Sequence, residues 1–295
     1  MKIIKSIKNA QQILEKEKFK RKTIGFVPTM GALHIGHLSL IRRARKENDL
    51  VVVSIFVNPV QFGSKEDFKK YPRAFKKDVL LCKKTGVDFI FYPNAKDMYP
   101  KDYKTYVNVE DLSDCLCGKS RPGHFKGVAT IVAKLFNIIR PDTAYFGQKD
   151  AQQAVIIKKM AQNLNIPLKI KVMPTVREKD GLAMSSRNIY LNAEERKEAV
   201  VLYKALKKAK EIIAHGKKNS QEVIAMMSSL IKQSRAVKID YVSIVDFENL
   251  KPVKIIKNRV LVALAVRFGK TRLIDNVIIE SVKLKTQSAK LKLKV

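Results

Sequence analysis

Two of the four histidines in the chain, His34 and His37, stand three residues apart in the sequence Pro28-Thr-Met-Gly-Ala-Leu-His-Ile-Gly-His. An apolar run before this segment, residues 23–27, indicates a buried strand, and apolar residues recur at helical spacing from residue 38. The free N–H groups at the start of a helix attract anions, and imidazoles add hydrogen-bond donors near neutral pH. The types and spacing of these residues therefore predict a phosphate-binding turn between a strand and a helix.

Three further polar segments stand at the ends of predicted strands or where the pattern of the chain changes: residues 58–63, 146–150 and 176–188. The amide of Gln61 can orient a carboxylate or a hydroxyl group, and Lys149 can contact a phosphate. Ser185, Ser186 and Arg187 suit a polyphosphate, because a guanidinium donates two parallel hydrogen bonds to its oxygens. Each segment alone is explained as well by a solvated turn or a helix cap.

The composition is that of a globular protein with room for two domains: 295 residues, of which 46% are hydrophobic and 29% charged. No apolar run is long enough to cross a bilayer, and lysines interrupt residues 1–8, where a secretory signal would stand. The three cysteines, Cys82, Cys115 and Cys117, are odd in number and lack zinc-site spacing. We therefore expect a cytoplasmic protein with no membrane partner.

The net charge of +32, from 59 basic and 27 acidic residues, would ordinarily suggest a nucleic-acid partner. The lysines are spread along the whole chain, however, tryptophan is absent, and no aromatic cluster alternates with the basic runs. We interpret the charge as a compositional drift toward lysine and predict no specific nucleic-acid partner. Weak polyanion binding that falls steeply with salt is still expected.

Strand-like and helix-like segments alternate over the first 175 residues, which predicts an α/β fold with a Rossmann-like, doubly wound parallel sheet. The predicted strands lie near residues 23–28, 51–57, 88–92, 143–147 and 168–173, and the predicted helices near 37–47, 66–85, 126–139 and 150–164. In such sheets ligands bind outside the carboxyl ends of the strands, which is where the polar segments fall.

The pattern changes after residue 175, where two amphipathic helices, near 193–214 and 219–233, precede three strand-like runs. These runs lie near residues 238–246, 258–267 and 272–280. We predict a Rossmann-like domain over residues 1–175 and a second, smaller α+β domain over residues 176–295. Within the latter, residues 284–295 alternate lysine with small or apolar residues, which predicts a solvated tail.

His34-Ile-Gly-His37 followed by Met184-Ser-Ser-Arg187 resembles the nucleotidylyltransferase superfamily, whose members activate a carboxylate or phosphate on the α-phosphate of ATP. The closer resemblance is to the pantothenate synthetase (pantoate–β-alanine ligase) family. The blocks that carry it run in family order: residues 28–37, 54–63, 71–73, 121–125, 146–153, 174–188 and 271–277. Together these blocks are highly specific.

The resemblance implies an enzyme that joins pantoate to β-alanine, with ATP as co-substrate and Mg²⁺ carried by ATP. The carboxylate of pantoate attacks the α-phosphate of ATP and releases pyrophosphate, and the amine of β-alanine then displaces AMP to give pantothenate. The resemblance also implies a homodimer, in which residues 1–175 bind the nucleotide and pantoate. Because the polar segment 176–188 lies at the domain boundary, we predict that the C-terminal domain forms a lid over the site.

The family motifs also imply site residues by position. Those on ATP are Met30, Gly31, Ala32, Leu33, His34, Ile35, Gly36, His37, Gly147, Gln148, Lys149, Asp150, Val176, Met184, Ser185, Ser186 and Arg187. The catalytic roles fall on His37, His34, Lys149 and Arg187, with His37 matching the family's proton donor.

The remaining assignments concern the other substrates and the metal. By position, Gln61 binds pantoate and lies near β-alanine, and Gln153 binds pantoate. Asp78 stands where the family has an acidic residue near magnesium, but Lys76 and Lys77 precede it, so no metal ligand is predicted in the chain.

Two other classes of protein share part of this pattern. An aminoacyl-tRNA synthetase core uses the same His-x-Gly-His turn, but the chain has no anticodon-binding region of useful size and lacks the lysines of the synthetase loop. A basic RNA- or DNA-binding protein with a vestigial nucleotide fold would leave the intact polar segments unexplained. Pyrophosphate release that requires pantoate and is indifferent to tRNA separates these alternatives.

Overall fold

The computed structural model describes residues 1–63, 66, 68–235 and 237–280, and the predicted tail at 284–295 lies outside them. The chain forms two compact units. Unit 1 consists of Met1–Val176 and Met184–Ser186, and unit 2 consists of Arg177–Ala183 and Arg187–Val295. The chain therefore crosses between the units three times within residues 176–187, the segment in which the sequence predicts phosphate-binding side chains.

Unit 1 contains a six-stranded sheet in which all neighbouring strands are parallel. Its strands are β1 (Lys2–Ile4), β2 (Ile24–Thr29), β3 (Leu50–Ile55), β4 (Phe89–Phe91), β5 (Thr143–Gly147) and β6 (Lys169–Met173). Their spatial order is β1-β4-β3-β2-β5-β6, so the direction of strand addition reverses at β2. The predicted doubly wound parallel sheet is confirmed, and its switch point lies where the histidine turn begins.

The helices of unit 1 are α1 (Ile7–Phe19), α2 (Ile35–Glu47), α3 (Phe75–Lys84), α4 (Ala95–Met98), α5 (Cys117–Ser120), α6 (His124–Ile139) and α7 (Ala151–Asn163). One cluster of buried apolar side chains joins α2 and α3 to the central strands, with Ile41, Val53 and Cys82 fully buried. This packing fixes the start of α2 against the carboxyl ends of β2 and β3.

Two parts of unit 1 differ from the sequence-based predictions. The helix predicted over residues 66–85 begins only at Phe75, because Pro72 disfavours helical backbone at the residue before it. The strand β1 and the helix α1 were not predicted at all, since α1 buries only Ala10 and Leu14 and is otherwise rich in lysine, glutamine and glutamate.

Unit 2 packs helices against a three-stranded antiparallel sheet of order β7-β8-β9. Its elements are α8 (Ala193–Glu198), α9 (Val201–Ala214), α10 (Ser220–Lys232), β7 (Val237–Asp246), β8 (Arg259–Phe268) and β9 (Thr271–Glu280). Leu206, Met227 and Leu264 are buried together in its core. The helix predicted over 193–214 is interrupted at buried Ala199. There a 3₁₀-type hydrogen bond, from the Leu202 amide to the Ala199 carbonyl three residues earlier (3.2 Å), separates α8 from α9.

Within the described residues, every helix is too short or too polar to cross a membrane.

Candidate active site

The turn between β2 and α2 has a backbone that needs support from elsewhere in unit 1. Gly31 and Ala32 both adopt positive φ angles, +81° and +50°. The carboxylate of Asp78, on α3, accepts hydrogen bonds from the amides of Ala32 (2.9 Å) and Leu33 (2.8 Å). Asp78 is only 1% exposed, and its burial raises the pKa of the carboxyl group in spite of these two bonds. Asp78 therefore fixes the shape of the turn.

The two histidines begin helix α2 and occupy its N-terminal hydrogen-bonding positions. His34 is the N-cap residue, and its Nδ1 accepts from the amide of Gly36 (3.2 Å). The amide of His34 in turn donates to Nδ1 of His37 (3.3 Å), and the two ring centroids lie 4.0 Å apart. Since Nδ1 accepts a hydrogen bond in both rings, we assign the proton to Nε2 in both.

The surroundings of both imidazoles favour the neutral form at physiological pH. Burial lowers the pKa of His34 to about 4, and the nearby Lys149 ammonium lowers it further. Burial likewise lowers the pKa of His37 to about 3, with contributions from His34 and Lys149. Each ring therefore presents a neutral Nε2–H donor, which can bind phosphate oxygens without first losing or gaining a proton.

Gln61 lies on the short 3₁₀ helix Pro59–Gln61 that follows β3, and it is buried. Its Oε1 accepts from Nδ2 of Asn58 (3.2 Å), and its Nε2 points to the sulfur of Met30 (2.9 Å). Asn58 also donates to the carbonyl of Gly127 (3.1 Å), on α6. The structure therefore brings the predicted pantoate-binding amide next to the first residue of the predicted ATP-binding turn.

The backbone of Gln61 is fixed by a group of side chains whose role the sequence did not predict. Nδ1 of His124 donates to the Gln61 carbonyl (2.8 Å), and Nε2 of His124 accepts from Nη1 of Arg121 (2.8 Å). Arg121 also forms two bonds of 2.6 Å to the carboxylate of Glu66. A guanidinium can only donate, so this arrangement assigns the tautomer of His124.

The third predicted segment follows β5 and leads into α7. Lys149 and Asp150 lie in the 3₁₀ turn Gln148–Asp150, with Lys149 Nζ 3.5 Å from Asp150 Oδ1. Gln153 is half-buried on the first turn of α7. Its buried neighbour Gln152, which was not predicted, accepts from the Cys117 amide (3.0 Å) and donates to the carbonyls of Leu112 (2.9 Å) and Cys115 (2.8 Å), which precede α5. Gln152 thereby fixes the start of α7.

The fourth segment returns to unit 1 at Met184–Ser186. The Met184 amide donates to the Val176 carbonyl (3.0 Å). A Cβ added at Gly36 would lie 2.9 Å from Cε1 of His34, so the glycine leaves room for the His34 ring, and it would lie in ordinary contact with Cβ of Met184 (3.8 Å). Oγ of Ser186 lies 3.3 Å from the hydroxyl of Tyr71. Arg187 is the next residue of the chain, in the 3₁₀ helix Ser186–Tyr190, and belongs to unit 2.

Asp78, which stands where the family has an acidic residue near magnesium, binds the backbone of the histidine turn. Both carboxylate oxygens of Asp78 accept backbone hydrogen bonds. Within residues 1–63, 66, 68–235 and 237–280, no group of three or more His, Cys, Asp or Glu side chains could bind a metal ion.

A parallel sheet with a reversal of strand order at β2, and a helix that begins at two Nε2–H imidazoles beyond the carboxyl end of that strand, defines a nucleotidyltransferase-type α/β protein. The family model of pantoate–β-alanine ligase matches residues 2–278. The chain therefore belongs to the pantoate–β-alanine ligase family.

Individual relatives agree over nearly the whole chain. A pantothenate synthetase from Caldicellulosiruptor saccharolyticus is 53% identical over 280 residues, which cover 95% of this chain and 100% of the relative. The crystal structure of pantothenate synthetase from Thermus thermophilus is similar with a TM-score of 0.89 and 43% identity, covering 94% of this chain and 99% of that one. A pantoate–β-alanine ligase from Francisella tularensis, complexed with β-γ ATP and β-alanine, has a TM-score of 0.78 and 38% identity, covering 94% and 97%.

Proposed function

We propose that this chain condenses pantoate with β-alanine, using ATP and releasing AMP and pyrophosphate through a pantoyl-adenylate intermediate. The observation that carries the proposal is the pair of neutral imidazoles at the start of α2, on a turn fixed by Asp78. Membership of the pantoate–β-alanine ligase family and the complex of a relative with β-γ ATP and β-alanine support the choice of substrates.

In the first step, the pantoate carboxylate forms a bond to the α-phosphorus, and the bond to the β-phosphate oxygen breaks. Pyrophosphate leaves with the electron pair. The Nε2–H groups of His34 and His37 donate to the phosphate oxygens as charge accumulates on the leaving group, which lowers the barrier because these donors are already oriented. Lys149 and Arg187 add positive charge beside the same phosphates.

The rest of the nucleotide contacts the backbone and short side chains that the family motifs indicate. These are Met30 to Gly36, Gly147, Gln148, Asp150, Val176 and Met184 to Ser186. Mg²⁺ would enter with ATP, since both oxygens of Asp78, the acidic residue considered for it, hold backbone amides of the histidine turn. The phosphates themselves supply oxygen ligands of the kind that Mg²⁺ prefers.

In the second step, the amine of β-alanine forms a bond to the acyl carbon of pantoyl adenylate. The bond from that carbon to the AMP oxygen breaks, and the amine loses one proton to solvent. Gln61 and Gln153 bind pantoate through their amides, which offer both donors and acceptors to a carboxylate and a hydroxyl. Gln61 also lies near the incoming β-alanine.

Two further elements complete the proposal. Pantoyl adenylate is labile to water, so the site must close during adenylation, and we assign that closure to the C-terminal domain acting as a lid. We also assign the enzyme as a homodimer, as the family resemblance implies. Light scattering is expected to give twice the 33.5 kDa mass of one chain.

The function is tested by following AMP and pyrophosphate with ATP, pantoate and a panel of amines. Pyrophosphate release is expected to require pantoate, AMP release to require β-alanine, and neither to respond to tRNA. Gln153→Ala is expected to raise the KM for pantoate about tenfold, the range for losing one or two hydrogen bonds to a charged group, and to leave that for ATP within about twofold.

The matched control is Gln162→Ala, at an exposed position near the end of α7, which is expected to leave both constants unchanged. Equal increases for both substrates in Gln153→Ala would indicate a packing role for this side chain. Pyrophosphate release without pantoate would contradict the proposed function itself.

A further inference from the structure

Two sequence blocks of the family, residues 174–188 and 271–277, meet inside unit 2 at an ion pair. Nη1 and Nη2 of Arg177 contact Oδ2 and Oδ1 of Asp275, at 2.5 and 3.0 Å. The side chain of Asp275 is 2% exposed and that of Arg177 is 20% exposed. A two-bond pair this far from solvent has a fixed geometry, because neither group can exchange its partner for water without a large cost.

Arg177 also contacts the two other parts of unit 2 that surround it. Its Nη1 donates to the carbonyl of Gly181 (3.1 Å), and its guanidinium carbon lies 4.4 Å from the ring centroid of Tyr203, on α9. Gly181 has a φ of +98°, and a Cβ added there would lie 2.0 Å from a ring carbon of Tyr203. Gly181 is therefore closely packed against α9, in a conformation and a space that only glycine fits.

These contacts fix a hairpin. Its two arms are paired by the bond from the Glu178 amide to the Leu182 carbonyl (2.8 Å) and from the Met184 amide to the Val176 carbonyl (3.0 Å). Arg196, on α8, adds bonds to Asp180 (2.7 Å) and Glu178 (2.5 Å) at the tip. The hairpin ends at Met184, where the Met-Ser-Ser-Arg segment begins.

We propose that Arg177 and Asp275 are positioning residues for ATP. This inference rests on the proposed function, in which residues 176 and 184–187 contact ATP. The ion pair sets the path of the hairpin backbone. The hairpin in turn sets the direction in which Ser185, Ser186 and Arg187 leave Met184. Neither member of the pair has to touch the substrate for this role, and pantoate, which is bound by Gln61 and Gln153, is not affected by it.

The test uses two variants of the full-length chain. Asp275→Asn keeps the shape of the side chain but removes its charge, and Arg177→Lys keeps the charge but removes the two nitrogens that bind both carboxylate oxygens. The control is Asp240→Asn, because Asp240 forms a similar ion pair with Arg272 (2.6 Å) on the sheet of the same unit. Three quantities are measured: the Kd for MgATP by calorimetry, the KM values for ATP and pantoate, and the exchange of the Glu178 and Met184 amides.

Asp275→Asn is expected to weaken MgATP binding and raise the KM for ATP at least tenfold, with the KM for pantoate within twofold. The exchange of the Glu178 and Met184 amides is expected to be at least tenfold faster, and Arg177→Lys to change all of these in the same direction. Asp240→Asn is expected to lower Tm without any of these changes.

The proposal is overturned if folded Asp275→Asn binds MgATP normally, or if Asp240→Asn has the same effects. A wild-type protein that binds MgATP but releases no pyrophosphate with pantoate would contradict only the proposed function, since the binding and exchange measurements still decide this inference.

Discussion

The histidine turn at residues 30–37, which is proposed to bind ATP, and the hairpin at 176–184, which is proposed to position residues 185–187 for ATP, are stabilised by different physical interactions. The turn depends on buried acceptors that bind backbone N–H groups: the Asp78 carboxylate and Nδ1 of two neutral imidazoles. The hairpin depends on ion pairs. Two of these are formed by Arg196, with Glu178 and Asp180, and the side chain of Arg196 is 29% exposed. The stability of the turn is therefore sensitive to protonation, whereas the stability of the hairpin is sensitive to removal of charge and to salt.

The largest effect is expected at the turn itself. His37→Ala removes one oriented donor from the phosphates and is expected to lower the rate of pyrophosphate formation by about 10²–10³. The affinity for ATP is expected to change far less, because the donor acts mainly on charge that develops in the transition state. The measurement is a single-turnover assay of pyrophosphate release.

The control for that experiment is His215→Ala, since His215 lies at the exposed end of α9 and contacts only the helix backbone in its described hydrogen bond. It is expected to leave the rate unchanged. A near-normal rate of pyrophosphate formation in His37→Ala would contradict the proposed role of the histidine turn.

The second largest effect is the dependence of the free energy of unfolding on pH, which we expect to come mainly from the two histidines of the turn. The pKa of the two histidines is about 4 and about 3 in the folded protein, below the ordinary 6.5 expected on unfolding. Between these values the unfolded chain binds more protons, so the free energy of unfolding falls as the pH is lowered from about 6.5 toward 4. A loss on the order of 2 kcal/mol for each histidine, about 4 kcal/mol for the two, is expected between pH 7 and pH 5, measured by urea unfolding.

The double variant His34→Gln/His37→Gln is the control, and its free energy of unfolding is expected to change much less over that interval. The buried Asp78 carboxyl, whose pKa is raised, acts in the opposite direction, but it is present in both proteins and cancels in the comparison. Hydrogen bonds from Lys171, Tyr145 and Arg43 hold the pKa of Glu47 at about 2, so its contribution is lost only below its ordinary value of 4.5. A wild-type protein as stable at pH 5 as at pH 7 would show that the histidines are not neutral and buried in the folded state.

The smallest effect is expected from salt, and it falls on the hairpin. Raising ionic strength from about 0.1 to 1 M shortens the Debye length from about 10 to 3 Å and weakens partly exposed pairs, which contribute about 0–1 kcal/mol each. Exchange of the Glu178 and Leu182 amides is expected to become up to about fivefold faster. The Ala32 and Leu33 amides, on buried Asp78, are expected to exchange at an unchanged rate, and equal acceleration of both sets would contradict the comparison.

Much of the fold could be predicted from local patterns. The buried strand β3 is a continuous apolar run, and the periodicity that follows the histidines predicted α2 nearly to its ends. The pattern failed where burial is slight or the element is short: β1 has three residues, and α1 buries only Ala10 and Leu14. These elements form because tertiary contacts stabilise them, and such contacts leave little trace in a local window.

The candidate site was predicted from spacing only in part. The His-Ile-Gly-His turn is local, so its residue types and its place between a strand and a helix are readable from the sequence. The groups that fix its geometry are not local, since Asp78 lies 45 and 46 residues from the amides that it binds and His124 lies 63 residues from Gln61. Only folding brings them together, and the roles of the predicted residues in binding stay predictions.

The parallel sheet of unit 1 ends in two outer strands, β1 and β6, and both carry lysine: Lys2 on one, Lys169 and Lys171 on the other. An outer strand offers unpaired backbone groups to any other strand, and a second copy of β6 paired with it would place two lysine-bearing backbones about 5 Å apart. In a chain with a net charge of +32, charge repulsion also acts between whole molecules. Lysine on the outer strands is therefore expected to disfavour pairing of two copies of the chain through the edges of this sheet.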